Sequence, residues 1–323
     1  MGSLTSYLQG EFVRHCPPGW TSRREVHILP EHLERLLGYA PRVDVVLEKQ
    51  DGSTCLWIEF EISRADPVAN HAKFATSHIF QPQRSIDIFI AMLSPHVALG
   101  RRNLAANTIQ LMRHIGMRAF QTVLFPFMTG EDVKRLNHLR KDAIEAEYID
   151  VEAEIERALS ISEPILELRR QGIYFVGDIL EVMLNIHSWN RAMATEYGQR
   201  LWGKRTVTYF AYEPKSRCFA PSKYSAYIGL RPSDRILHNA EDLALSTSEM
   251  TMELYSALDQ RDPRFDGRRA RVHLTKNLGM ELKSPAEDKG LFSCFESWFT
   301  HHAEFVTVHP KGPYFITPPP WFT

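Results

Sequence analysis

Apolar and polar positions in the first part of the chain switch between the two-residue period of strands and the longer period of helices. One apolar-periodic segment begins at Pro30 and ends at Gly38, which are helix start and stop signals. Asp51 and Gly52 form a turn signal between two strand-like runs, so those runs are predicted to pair as a hairpin. The pattern predicts helices over residues 30–38, 66–81 and 104–115, and strands over residues 42–49, 55–63, 86–93 and 120–126. We therefore expect an α/β domain over residues 1–130, with helices on the faces of a mixed sheet.

The rest of the chain changes character twice. Residues 131–202 are mainly helical in pattern, which indicates a connector or a dimer region, although ordinary amphipathic packing helices explain the pattern equally well. From residue 203 aromatic residues, prolines and short strand-like runs at 206–212 and 224–230 predict a second, β-rich domain over residues 203–323.

Length and composition narrow the class of protein. A chain of 323 residues suggests two domains, and 44% hydrophobic and 24% charged residues are typical of a globular protein. No apolar run is long enough to cross a membrane, and no glycine-rich phosphate loop is present, so neither a membrane location nor ATP use is expected. The four cysteines are far apart, which favours a reducing cytoplasm over a disulfide framework. The net charge of −1 leaves nucleic-acid binding open.

Three acidic residues stand where strands normally carry apolar or neutral side chains. Glu59 and Glu61 are two residues apart, so their side chains project from one face of the predicted strand. Asp44 interrupts the valine-rich strand that precedes the hairpin turn, against the usual strand preference. Carboxylates from adjacent strands can hold one or two hard divalent cations, whereas acids on an exposed hairpin would simply be solvated. We expect a metal site of Asp44, Glu59 and Glu61.

The arrangement Pro41-x-x-Asp44, then Glu59-x-Glu61 after a hairpin, then a helix, resembles the active site of the PD-(D/E)XK nuclease superfamily. The resemblance covers roughly residues 25 to 125 and implies a restriction-endonuclease-like mixed sheet. It also implies Mg²⁺ as cofactor, with Asp44 and Glu59 as ligands. The family pattern usually ends in lysine, and Glu61 stands at that position, as in a Glu-x-Glu minority of restriction enzymes. Glu61 is therefore expected either to bind the metal or to act as general base.

Two further residues are candidates by the same resemblance. Some family members carry the missing lysine on the helix after the hairpin, which would assign that role to Lys73. A phosphate contact or an ordinary surface lysine are the alternatives. Other members add an acid from the helix before the strand; Glu31 or Glu34 could fill that role, Glu34 is the preferred candidate, and a solvated helix face is the alternative.

Basic residues cluster in the second half of the chain. Two stretches, 204–223 and 261–276, each carry four more basic than acidic residues and lie near aromatic residues. Arginine suits bidentate contact with phosphates or guanine edges, although charged stretches are as often solvated. The predicted DNA-binding residues are Arg217, Lys223, Tyr224, Arg264, Arg268, Arg269, Arg271 and Lys276. The aromatic-rich run 219–227 indicates either core packing or a pocket that stacks on a base.

These observations predict a Mg²⁺-dependent endonuclease that cuts double-stranded DNA, as in a type II restriction system. Residues 1–130 are expected to cut and residues 203–323 to recognise the target, in a homodimer because double-strand cleavage needs two sites. One alternative is a nuclease that requires a modified base. The others are a DNA-binding protein without activity and a nuclease of DNA repair.

Overall fold

The computed structural model describes residues 3–63, 66–168, 171–229, 250–261 and 267–322. The described residues form two compact units, one up to Glu163 and one from Pro164 onward. The boundaries predicted at residues 130 and 202 differ from this division. No described helix combines the length and apolarity needed to cross a bilayer.

The first unit is built on a five-stranded mixed sheet with the strands in sequence order. The first three strands pair antiparallel, and the third, fourth and fifth pair parallel. The prediction of a mixed sheet in an α/β unit is confirmed. The strands are β1 (Trp20–His27), β2 (Arg42–Lys49), β3 (Cys55–Glu61), β4 (Asp87–Leu93) and β5 (Ala119–Val123).

Helices cover both faces of this sheet. On one face Phe74 and Ile109 pack with Phe89 of strand β4 in a continuous apolar cluster. On the other face Phe12 meets Phe60 of β3 edge to face, with ring centroids 4.9 Å apart. The helices are α1 (Ser3–Arg14), α2 (Glu31–Leu37), α3 (Val68–Phe80), α4 (Leu99–His114), α5 (Gly130–His138), α6 (Lys141–Glu145) and α7 (Val151–Ser162).

The predicted connector over residues 131–202 is not a separate element. Val133, Leu136 and Ile155 are buried, and α5, α6 and α7 pack against α1, so these helices complete the first unit. Hydrophobic burial explains the assignment, because the apolar sides of these helices are buried where they pack against α1. The remaining part of the stretch belongs to the second unit and includes two strands, β6 (Leu166–Leu168) and β7 (Gln171–Phe175).

The second unit combines three small sheets with helices. A four-stranded sheet has the order β10-β9-β14-β12, a three-stranded sheet the order β11-β7-β6, and a parallel pair joins β13 and β8. The further strands are β8 (Arg205–Val207), β9 (Tyr209–Glu213), β10 (Cys218–Pro221), β11 (Tyr227–Gly229), β12 (Glu281–Lys283), β13 (Val306–Val308) and β14 (Tyr314–Thr317). The helices are α8 (Ile179–Met193), α9 (Glu196–Trp202), α10 (Ser222–Ser225), α11 (Met252–Arg261), α12 (Gly267–Val272) and α13 (Lys289–Thr300).

A cluster of aromatic side chains forms the core of this unit. Phe219 of β10, Phe315 of β14 and Phe295 of α13 contact one another with centroids 5.2 to 5.6 Å apart. Trp298 extends the cluster to Trp189 of α8. The expectation of a β-rich domain is therefore wrong in its proportions, because helices supply much of the surface that buries these rings.

Candidate functional site

The three predicted acids lie close together because of strand register. The pairing of β2 with β3 ends at Val45 and Ile58, and Asp44 and Glu59 are the next residues of the two strands. Glu61 follows two residues later on the same face of β3. The β1 register, in which Arg24 pairs with Val45, continues in the same way and sets Glu25 beside Asp44.

The acids of β3 are not solvated. Glu59 is 3% exposed and Glu61 is 6% exposed, so the interpretation of these residues as surface acids on a hairpin is wrong. The reason is that α3 crosses the sheet face from which they project, and its polar side chains meet them. Buried charges are costly unless they are paired, so these carboxylates need partners.

Each carboxylate has one or two defined partners. Asp44 accepts hydrogen bonds from the backbone N–H of Phe60 (2.8 Å) and from Gln9 Nε2 (2.8 Å). Glu59 forms an ion pair with Lys73, with Nζ 2.8 Å from Oε1. Glu61 accepts a hydrogen bond from Asn70, which lies one helical turn from Lys73 on α3.

The hydrogen bond between Asn70 Nδ2 and Glu61 Oε1 measures 2.7 Å. Burial raises the pKa of Asp44, Glu59 and Glu61, and proximity to Asp44 raises the pKa of Glu59 further. Lys73 opposes the shift at all three groups, since a nearby positive charge favours the ionised form. The carboxylates therefore outnumber the basic residues that face them, Lys73 and Arg42, which is an environment that attracts a cation.

A cavity of about 500 Å³ opens over these groups and is lined by Asp44, Glu59, Glu61 and Lys73 together. It brings in a fourth acid, Glu25, which Gln9 Nε2 joins to Asp44 through a second hydrogen bond of 2.5 Å. Sequence reasoning missed Glu25, Gln9 and Asn70. Their roles depend on strand register and on the approach of α1 and α3, which no local motif marks.

Glu25 also has an unusual backbone conformation, with φ at 52°. A residue other than glycine in this left-handed region costs about 1 to 2 kcal/mol. Such strain is found most often at functional sites.

Glu34 is not part of this group. Helix α2 directs it to His27, with Oε1 2.6 Å from Nδ1, and it does not line the cavity. The additional acid that the structure supplies is Glu25 rather than Glu34.

The carboxylates at the cavity, Glu25, Asp44, Glu59 and Glu61, supply oxygen ligands of the kind that a hard divalent cation prefers. Across the described residues no three acidic, histidine or cysteine side chains lie close enough to hold one ion jointly. The expected three-carboxylate group of Asp44, Glu59 and Glu61 is thus not formed in this arrangement, because Asn70 and Lys73 hold the two glutamates. Mg²⁺ commonly uses one or two carboxylates with waters and substrate phosphates, and Asp44 and Glu59 can supply two.

The predicted DNA-binding residues of the second unit separate into two groups. Lys223, Arg268 and Arg271 line a cavity of about 720 Å³. The others do not line it: Arg217 in the turn before β10, Arg269 on α12 and Lys276. Arg264 lies outside the described residues.

Tyr224 has a different role from the predicted one. Its side chain is 0% exposed, and its hydroxyl donates to the backbone carbonyl of Met250. It cannot stack on a base, because α10 turns the ring into the core of the unit.

The chain matches no protein-family model, no curated protein and no solved structure. Its class must therefore be inferred from its own residues: an α/β protein whose first unit carries a buried carboxylate–lysine site at the ends of adjacent strands.

Proposed function

We propose that the chain is a Mg²⁺-dependent endonuclease that hydrolyses phosphodiester bonds of double-stranded DNA. The observation that carries this proposal is the cavity in which Asp44, Glu59 and Glu61 lie with Lys73 at the ends of adjacent strands of the mixed sheet. Buried acids with raised pKa values are costly for stability, which favours a functional reason for their position.

The fold supports the resemblance to PD-(D/E)XK nucleases in one respect. An antiparallel hairpin, β2 and β3, carries the acids, and the following helix α3 crosses to the parallel strand β4. The family site has this order of elements. A restriction-endonuclease-like arrangement of the first unit is therefore part of the proposal.

Each residue has a distinct role in the proposed reaction. Asp44 and Glu59 would hold the cation, which supplies stabilisation of the charge that develops on the phosphate. Gln9 and the N–H of Phe60 fix the Asp44 carboxylate, so that its orientation is set before substrate arrives.

Lys73 replaces the lysine that the family motif places at position 61. It reaches the cavity from α3, where its ammonium can contact the scissile phosphate or orient the attacking water. Glu61, held by Asn70, has no part in holding the cation in this proposal and is the candidate general base.

The second unit would contact DNA through its basic residues, and a homodimer would bring two sites to the two strands. In the type II restriction form of the proposal, the enzyme acts in the cytoplasm on a specific sequence. In the second form of the proposal, the enzyme requires a modified base. This form is supported by the cavity lined by Lys223, Arg268 and Arg271, where such a base could bind.

The test is digestion of pooled genomic DNAs, modified and unmodified, followed by sequencing of the ends. Wild type with Mg²⁺ is expected to give defined ends, and chelation of the metal or Asp44→Asn is expected to abolish them. Glu131→Gln, at an exposed acid of the same unit, is the matched control and should cut normally. Intact DNA in every pool with wild type would overturn the proposal.

A further inference from the structure

The cavity of the second unit has two kinds of wall. One is aromatic: Tyr209 and Tyr314, paired across β9 and β14, lie nearly parallel with ring centroids 5.7 Å apart and an interplanar angle of 27°. Tyr255 contributes a third ring. Because the two strands hold the first two rings in register, these rings form a fixed surface on which another planar ring can stack.

The other wall is cationic. The described lining residues include two lysines and two arginines and no acidic residue; they are Lys223, Lys311, Arg268 and Arg271. Arg271 lies over the ring of Tyr209, with its guanidinium carbon 5.3 Å from the centroid. Its Nε is buried and has no hydrogen-bond acceptor among the described residues. A buried donor of this kind is stabilised when a ligand supplies the acceptor.

We propose that this cavity binds a nucleoside phosphate unit, with the base on the tyrosine surface and the phosphate on the arginines and lysines. Arginine presents a planar fork of donors that matches phosphate oxygens. A volume of about 720 Å³ is in the range of sites that enclose small ligands. A ligand with only an anion would leave the tyrosines uncovered, and a ligand with only a ring would leave the buried Nε of Arg271 without an acceptor among the described residues.

The unit could come from a free nucleotide or from a nucleotide turned out of a DNA strand, and both have the same chemistry. The DNA source rests on the proposed endonuclease function, and there the cavity would read the extruded base. The binding site itself does not depend on that function, because all of its residues belong to the second unit.

The experiment measures binding by calorimetry with the full chain carrying Asp44→Asn, in the presence of EDTA. The probes are deoxynucleoside 5′-monophosphates, ribose 5-phosphate, nucleosides, and short single-stranded and duplex DNA. We expect the monophosphates to bind at least about tenfold more tightly than ribose 5-phosphate or nucleosides, since stacking and charged hydrogen bonds each contribute. Competition between monophosphates and DNA identifies a strand as the source, and binding of monophosphates without DNA identifies a free nucleotide.

Variants test whether monophosphate binding depends on the residues of this cavity or only on the positive charge of the second unit. Arg271→Met is expected to weaken monophosphate binding by about tenfold or more. Lys311→Met should weaken it by less, because Lys311 is exposed. Arg200→Met, at an exposed arginine of α9 that does not line the cavity, should bind as wild type does. Thermal melting confirms that each variant is folded, and Lys311→Met keeps the test valid if Arg271→Met does not fold.

Three results would overturn the proposal. They are the absence of monophosphate binding at millimolar concentration, equal affinity for ribose 5-phosphate and the monophosphates, and an equal loss in Arg200→Met. Loss of DNA cleavage in Asp44→Asn tests the endonuclease proposal separately, because the calorimetry uses a variant expected to be inactive and contains no metal.

Discussion

Lys73→Met removes the cation that faces the carboxylates of the first unit while keeping the length of the side chain. Taking one partner from a buried ion pair costs about 3 to 5 kcal/mol, because the remaining charge is uncompensated. The Lys73 side chain is 22% exposed, whereas that of Glu59 is 4% exposed, so solvent reduces part of the cost. We expect Lys73→Met to lower the free energy of unfolding by about 2 to 3 kcal/mol at pH 8.

The assay is urea unfolding followed by circular dichroism, without divalent metal. Lys134→Met is the matched control, because Lys134 also pairs with a glutamate, Glu131, but both side chains are about half or more exposed. Its loss should stay below about 1 kcal/mol. Equal losses in the two variants would refute the view that Lys73 neutralises a buried acidic site.

Saturating Mg²⁺ distinguishes this site from a purely structural ion pair. A cation bound at Asp44 and Glu59 takes over the neutralising role of Lys73, and a ligand that binds only the folded state raises its stability. Mg²⁺ should therefore raise the stability of Lys73→Met by more than that of Lys134→Met, because in the latter Lys73 still pairs with Glu59 and competes with the cation. A response that is the same in both variants would contradict the proposed metal site.

Three further expectations concern the rest of the molecule. Burial lowers the pKa of His71 from 6.5 to about 4, so its contribution to stability is complete above pH 6.5 and is lost as pH falls towards 4. The free energy of unfolding should be measured for wild type and His71→Leu at several pH values. The difference between the two proteins should change by about 3 kcal/mol between pH 6.5 and pH 4. A difference that stays constant with pH would contradict this expectation. Arg157→Met should lower the free energy of unfolding by about 3 kcal/mol, because Glu154 keeps a buried charge without its partner, and a loss below about 1 kcal/mol in urea would show that the pair is not buried. Tyr224→Phe should cost about 1 to 2 kcal/mol in the same assay, because the carbonyl of Met250 loses its donor, and unchanged stability would place the hydroxyl elsewhere.

The elements that the sequence predicted well have local causes. Helix α2 ends where expected because Gly38 adopts φ 75°, a conformation that glycine accepts without strain. The hairpin of β2 and β3 follows from alternating apolar residues on both sides of a turn that contains Gly52 at φ 70°. The position of Asp44, Glu59 and Glu61 on that hairpin was therefore accessible from the residues alone.

The elements that the sequence did not predict depend on distant parts of the chain. Strand β1 carries mainly polar residues and lies at the sheet edge, so its pairing with β2 leaves no apolar alternation. Helix α1 was not predicted either, although the four-residue spacing of Leu4, Leu8 and Phe12 is typical of a helix. Without β1 and α1, the contributions of Glu25 and Gln9 to the site could not be inferred.

In the second unit, the sequence did not predict which residues of a basic stretch are buried and which line a cavity. Lys223 and Tyr224 are neighbours, yet Lys223 lines a cavity while Tyr224 is buried. Helix α10 turns their side chains in different directions, and a helix of four residues has too few positions to show a period.

Crystals of the protein grown with Mn²⁺ and a DNA duplex test the central claim most directly, through anomalous scattering at the cavity of the first unit. The account predicts an anomalous peak at coordination distance from Asp44 and Glu59, next to a phosphate of the duplex. A cavity with no peak, with Lys73 still paired to Glu59 and no DNA alongside, would contradict it.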